Sequence, residues 1–257
     1  MEKGERMGMA EMSREIIEER VVESYVALCK GFGLPISVVQ EYRPEGEIHW
    51  LEEGALGWTV GLNTAHIPPQ EGEAFLAYNV RKVLLPRLVL RTPRLVVRRV
   101  AQEDGEGLLP ILSDPVGCDL DCCAPCRGEA FWELFQLFCQ QETRYVLVEQ
   151  AGGRVVGTLH LTPDPTRAVE AMELGYAIAP AHRRQGYAQE ALEGVGALLQ
   201  GKLGMELLTA GVLPENHPSA RLLEKLGFSP EGVRRKAAWH EGRGQAVDLV
   251  YYTLERT

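Results

Sequence analysis

The sequence predicts an α/β fold, and three observations carry the prediction. Leu174, Tyr176 and Ile178 alternate with a period of two, as in a strand. After a short basic loop, Ala188, Ala191, Leu192, Val195, Leu198 and Leu199 recur at helical spacing. The runs Tyr145–Gln150 and Val155–Leu161 flank Ala151-Gly152-Gly153-Arg154, a turn sequence that predicts a hairpin.

The remaining elements follow in order. Residues 1–8 read as a tail. Glu11–Lys30 carries Ile16, Ile17, Val21, Tyr25 and Leu28 on one face, an amphipathic helix stopped by Gly31-Phe32-Gly33-Leu34-Pro35. Strands are expected at Ile36–Tyr42, Glu47–Leu51 and Trp58–Leu62, then a proline-rich loop and a helix at Glu73–Leu85. Thr92-Pro93 favours an extended entry to a strand at Leu95–Val100. Helices at Asp104–Leu112 and Glu129–Glu142 precede the hairpin. The central strand Met172–Ala179 ends at Pro180, which cannot donate to a ladder. A strand at Glu206–Val212, a helix at Pro218–Leu226 and a last hairpin, Gly232–Ala238 with Ala246–Leu254, complete the chain.

Two domains are expected: an α/β extension over residues 1–90 and a second domain over 91–257. The chain has 257 residues, long enough for a substantial core, and a net charge of −9. That charge argues against a nucleic-acid or anionic-membrane surface and is compatible with a cationic partner. No apolar run is long enough to span a membrane, and the start, Met1-Glu2-Lys3-Gly4-Glu5-Arg6, lacks the apolar core of a secretory signal. The expected location is the cytoplasm, with cysteines reduced or metal-bound.

The loop between the central strand and its helix carries the chemistry. Gly186 permits close backbone approach, the helix beginning at Tyr187 points free N–H groups into the loop, and Arg183 and Arg184 add positive charge. This is a site for an anion, most naturally a phosphate. Arg183-Arg184-Gln185-Gly186-Tyr187-Ala188 resembles the (Gln/Arg)-x-x-Gly-x-(Gly/Ala) pyrophosphate loop of the GNAT N-acetyltransferases. A second signature, Asn216-His217-Pro218-Ser219 through Gly227-Phe228, follows in that family's order. The resemblance covers about Thr92 to Glu255 and is nearest to the branch with the ribosomal-protein N-terminal acetyltransferases.

The resemblance implies a mixed, strongly twisted sheet flanked by helices, with acetyl-CoA as co-substrate and direct transfer to a primary amine, either a protein N-terminus or a small molecule. It implies that the strands Met172–Ala179 and Glu206–Val212 splay apart around pantetheine. Ala177 and Ile178 would offer backbone donors. Arg183, Arg184, Gln185, Gly186, Tyr187 and Ala188 would hold the pyrophosphate, and Asn216 would contact pantetheine. Glu173 is the first candidate for general base, against an exposed strand carboxylate; His160 is the second. Ser219 would lie near the departing sulfur, against a role as helix N-cap. Tyr176 reads as packing or cofactor contact.

Residues 1–90 resemble no family and carry no compact catalytic cluster. They are expected to cover a sheet edge or form a dimer contact, or else to recognise the acceptor. The departure from the family pattern is Cys118-Asp119-Leu120-Asp121-Cys122-Cys123-Ala124-Pro125-Cys126, in the region that lines the acceptor cleft. Cys123 and Cys126 have metal-ligand spacing but lack a second separated pair, so no metal site is assigned. Redox sensing by these thiols supplies the competing reading, a non-enzymatic CoA-binding sensor. Cys29 and Cys139 fall on apolar helix faces and read as core.

Overall fold

The computed structural model describes residues 88–256, three earlier strands, and the single positions Glu23, Val26 and Leu85. The chain divides into two compact units, Met1–Leu84 and Leu85–Thr257. In the first, β1 (Ile36–Arg43), β2 (Gly46–Glu53) and β3 (Thr59–Asn63) form an antiparallel sheet in that order, matching the three expected strands. The expected helices Glu11–Lys30 and Glu73–Leu85 lie outside the described residues, except that Glu23 and Val26 are helical and Leu85 is in a 3-10 turn. Cys29 also lies outside them.

The second unit begins a few residues before the expected start at 91, because β4 (Val89–Arg91) pairs with β5 (Leu95–Arg99) at the sheet edge. There follow α1 (Gly105–Leu112), α2 (Pro115–Leu120) and α3 (Gly128–Gln140). Next come β6 (Arg144–Glu149), β7 (Val155–Pro163) and β8 (Ala171–Ile178). Then α4 (Tyr187–Gly196) runs into a π-helical turn, Ala197–Lys202, and is followed by β9 (Leu207–Val212) and α5 (His217–Lys225). The hairpin β10 (Ser229–His240) and β11 (Gln245–Glu255) ends the chain. Helix α2 stands where the cysteine segment was read as loop. Asp114 caps it by accepting from Gly117 N, and Pro115 fits its first turn.

The eight strands are ordered β10-β11-β9-β8-β7-β6-β5-β4, and every pairing but one is antiparallel. The exception, β8 with β9, needs a crossover connection, which α4 supplies. Strand alternation sorts the core into two layers. Val146 and Ala177 face α1 and α3, packing with Leu108, Ile111, Phe131 and Phe135. The alternate residues Leu159, Leu161, Met172, Leu174 and Leu208 are buried on the other face, with α4. Helix α5 lies beside α4, where Lys225 donates to Gln189 at 2.8 Å. Among the described residues no helix is long and apolar enough to cross a membrane.

Candidate active site

Strands β8 and β9 are paired only at Ala171–Leu207, Met172–Leu208 and Glu173–Thr209. Beyond Glu173 they separate, so the backbone of β8 from Leu174 to Ile178 has no strand partner on that side. The open groups follow from alternation. Ala179 N donates to Val156 O at 2.9 Å, which makes Thr158 and Ala177 the next hydrogen-bonded pair of the β7–β8 ladder. The N–H and C=O of Ala177 are therefore spent on β7, and those of Tyr176 and Ile178 face the gap. The expectation that Ala177 offers a free backbone donor is corrected by the ladder phase: Ala177 is turned to β7, while Tyr176 and Ile178 are turned to the gap. The Ile178 carbonyl accepts from Arg183 Nε at 3.1 Å.

The gap leads into the loop before α4. Arg184 and Gly186 both have positive φ, 61° and 82°, and Gly186 is the N-cap of α4. A left-handed residue immediately before the helix turns the free N–H groups of its first turn outward, the arrangement that takes an anion. The loop is anchored from outside. Arg94 donates to Gln185 O at 2.9 Å and to Glu190 Oε2 at 2.6 Å, while Gln185 Nε2 holds Ala181 O at 3.0 Å. Tyr187 is buried and donates to Glu149 at 2.6 Å, so it and Ala188 face the loop by backbone alone. The two arginines differ. Arg183 forms an ion pair with Asp114, the cap of α2, and its charge is compensated; Arg184 is exposed and has no ion pair among the described residues.

On the α4–α5 side of the gap, Tyr176 Oη and Ser219 Oγ are 2.8 Å apart. Burial pushes the Tyr176 phenol up, so it stays protonated at neutral pH. The N-cap expected of Ser219 belongs to Asn216, whose Oδ1 accepts from Ser219 N at 3.2 Å, while its Nδ2 donates to Leu120 O at 3.3 Å. The Ser219 hydroxyl is thus free of capping. Asn216 keeps one N–H and one lone pair for any other contact.

On the α1–α3 side, Glu173, Gly175 and Ala177 share a face. His160 lies across from Gly175, where a Cβ would stand 1.8 Å from its ring, so only glycine fits. Burial pushes the Glu173 carboxyl up and Asp164 adds to this; Arg234 and Arg167 oppose it. His160 is pushed down to about 4, by burial and then by Arg144, whose guanidinium is 3.3 Å from its Nδ1. A neutral ring of such low basicity is a poor proton acceptor.

Ahead of Gly175 opens a cavity of about 260 Å³, lined among others by Asp121, Cys123, Arg144, Tyr176 and Ala177. Of the predicted residues it gathers Tyr176, Ala177, Arg183 and the second base candidate, His160; Glu173 does not line it. Nearby in sequence, Asp119 of α2 accepts from Arg243 at 2.7 Å, and Arg243 also donates to Glu215 at 2.6 Å, which ties α2 to the turn before α5. Two further lining residues stood out in no sequence pattern: Asp121 lay unremarked inside the cysteine segment, and Arg144 stands one residue before the expected strand Tyr145–Gln150. The described cysteines, Cys118, Cys122, Cys123, Cys126 and Cys139, are free thiols. Cys118 donates to Leu112 O at 3.4 Å, and Cys139 packs against the core of α1 and α3. Among the described residues no three His, Cys, Asp or Glu side chains converge in a way that could hold a metal ion.

A sheet opened between its one parallel strand pair, with an anion loop at the mouth and a cavity across it, defines an acyltransferase of the kind that binds a coenzyme A thioester. Residues 94–229 match the family model described as Acetyltransferase (GNAT) domain, more than half of the chain, and the chain belongs to that family of acetyl-CoA-dependent enzymes. It is 28% identical over 168 residues to the uncharacterized N-acetyltransferase YoaA of Bacillus subtilis, covering 60% of this chain and 90% of that one. Its fold is similar to that of a GNAT-family acetyltransferase from Bacillus anthracis, at TM-score 0.59 and 21% identity, over 66% of this chain and 99% of the other. A structure titled as a putative ribosomal-protein-serine acetyltransferase from Vibrio cholerae gives TM-score 0.56 and 21% identity, over 66% and 98%. Spermidine N-acetyltransferase from the same organism, in complex with CoA and spermine, gives 0.53 and 18%, over 63% and 96%.

Proposed function

We propose that this acetyltransferase moves an acetyl group directly from acetyl-CoA to a primary amine, with no covalent enzyme intermediate. The observation that carries this reading is the open strand edge between the Gly186 loop and the cavity. Pyrophosphate would sit on the free N–H groups before α4, with Arg184 as the uncompensated cation. The N–H groups of Tyr176 and Ile178 would pair with pantetheine and the thioester carbonyl, a preorganised electrostatic site. The amine nitrogen attacks the carbonyl carbon, the C–S bond breaks and the sulfur leaves as a thiolate. A carboxylate takes the ammonium proton beforehand, with Glu173 first and Asp121 as its rival. The Tyr176–Ser219 pair donates a hydrogen bond and a proton to the sulfur, and is restored by the second proton, which the nitrogen sheds as it becomes an amide.

The similar structures include enzymes named for a ribosomal protein and for a polyamine, so the acceptor is proposed no more closely than as a primary amine. The free thiols fit a reducing compartment, the cytoplasm. For residues 1–84 we propose a separate folding unit that forms a dimer contact or recognises the acceptor. The test is release of CoA thiol from acetyl-CoA against a panel of amines, with the acetylated product identified by mass. Amine-dependent release supports the reading. Saturable acetyl-CoA binding with no turnover on any amine overturns it in favour of a CoA-binding sensor.

A further inference from the structure

Helix α2 is tied at both ends to residues that the cofactor reading assigns to acetyl-CoA. At its start, Asp114 caps the helix by accepting from Gly117 N at 2.8 Å, and the same carboxylate forms the ion pair with Arg183 of the anion loop. At its end, the Leu120 carbonyl accepts from Asn216 Nδ2 at 3.3 Å. Between these ties, Gly117 and Cys118 line the cavity. The end of α2 has further support: Cys123 N closes onto Cys118 O at 2.9 Å, His240 Nε2 meets Asp119 O at 2.8 Å, and Arg243 holds the Asp119 carboxylate. Among the described residues, the ion pair at its start is the one with Arg183.

Arg183 touches three places at once. Its Nε donates to the Ile178 carbonyl at 3.1 Å, on the open edge of β8. Its Nη2 lies on Asp114, and the fit is close. A Cβ at Gly117 would stand 2.8 Å from that nitrogen and 2.7 Å from the Asp114 carboxylate, so the glycine leaves room for the pair. The same arginine side chain lines the cavity. Burial alone would push the Asp114 carboxyl up; the bonds from Arg183 and Gly117 N hold it below the ordinary carboxylate range, so it is charged at neutral pH.

One cation therefore occupies an edge group offered to pantetheine, bonds the cap of α2 and fills part of the space offered to the acceptor. Resting on the acetyl-transfer reading, we propose that Asp114 is a positioning residue that holds Arg183 as a latch between the two sites. The pyrophosphate of acetyl-CoA draws Arg183 off Asp114 and Ile178. This frees the strand edge, loosens the first turn of α2 and widens the cavity for the amine. The Arg183 side chain is 38% exposed, so its pair with Asp114 is a weak one to break, and a pyrophosphate offers the guanidinium more charge than one carboxylate. Acetyl-CoA then binds first, and cofactor and acceptor are coupled through α2. The affinity for CoA is lowered by whatever breaking the latch costs.

The experiment uses the full-length protein, CoA as ligand and iodoacetamide as a probe of α2. Cys118 is 3% exposed, so its alkylation reports opening of the helix; Cys139, packed against α1 and α3, is the internal reference. Both rates are read site by site by mass spectrometry. In the wild type, saturating CoA should raise the Cys118 rate about threefold or more and leave Cys139 unchanged. Asp114→Asn keeps a capping oxygen and loses the charge. It should show the raised Cys118 rate without CoA, and in calorimetry it should bind CoA about threefold more tightly, because no latch has to be broken. Arg183→Gln should also show the raised rate but bind CoA more weakly, and adding Asp114→Asn to it should change the affinity no further. A purely structural cap predicts equal or weaker CoA binding by Asp114→Asn, and that result overturns the proposal. So does a Cys118 rate that CoA leaves unchanged or slows in the wild type, the measurement that decides if the variant loses its fold. Absence of saturable CoA binding to the wild type overturns the acetyl-transfer reading itself, whereas normal CoA binding with Cys118 unmoved overturns the latch alone.

Discussion

Replacing Ser219 by alanine separates a chemical role from a structural one. The substitution removes one hydroxyl and its 2.8 Å contact with Tyr176 Oη. A hydrogen bond of this kind contributes about 0.5–1.5 kcal/mol net. In a folding unit of this size that is a fall of roughly 2–5 °C in Tm. The cap of α5 survives, because Asn216 Oδ1 accepts from the backbone N of Ser219, which alanine retains. Asn216→Ala should therefore be the more damaging to stability. It loses the cap, about 0.5–2 kcal/mol, and the bond to Leu120 O, about 1 kcal/mol more. Turnover should run the other way. If the Tyr176–Ser219 pair stabilises the departing sulfur, Ser219→Ala lowers kcat about tenfold or more, equivalent to ~1.4 kcal/mol of transition-state stabilisation, with acetyl-CoA affinity nearly unchanged. Tyr176→Phe should show a similar loss, and the double variant should be little worse than the poorer single one, because the hydroxyls act as one unit. The assay is thiol release at saturating acetyl-CoA beside thermal unfolding of the same preparations. A Ser219→Ala enzyme within twofold of wild type would refute the role given to the pair.

Two further outcomes are expected. Gly186→Val forces a β-branched residue into φ 82° and crowds the loop; it should abolish the thermal stabilisation by acetyl-CoA, while Arg184→Ala weakens it, both read by unfolding scans against ligand concentration. Glu173→Gln should lower kcat/KM about tenfold or more if Glu173 is the base, and the defect should shrink as pH rises toward the pKa of the acceptor amine; a pH-independent defect, or none, transfers the role to Asp121.

What the sequence determined by itself is local. The anion loop needs a left-handed residue at Gly186, a helix start at Tyr187 and a strand stopped by Pro180, all within a few residues, and periodicity and side-chain type report such features directly. The hairpin about Gly152-Gly153 and the strand and helix order are legible for the same reason. What only the tertiary structure decided is where distant groups meet. Ala177 could not be told from Tyr176 as an open donor, because ladder phase depends on the partner strand β7. The cap passed from Ser219 to Asn216 because the serine hydroxyl found Tyr176, 43 positions away in sequence. The cavity gathers Asp121, at the end of α2, and Arg144, on an interior strand. No local pattern announces that they share it, because their meeting depends on how α2 packs against the sheet.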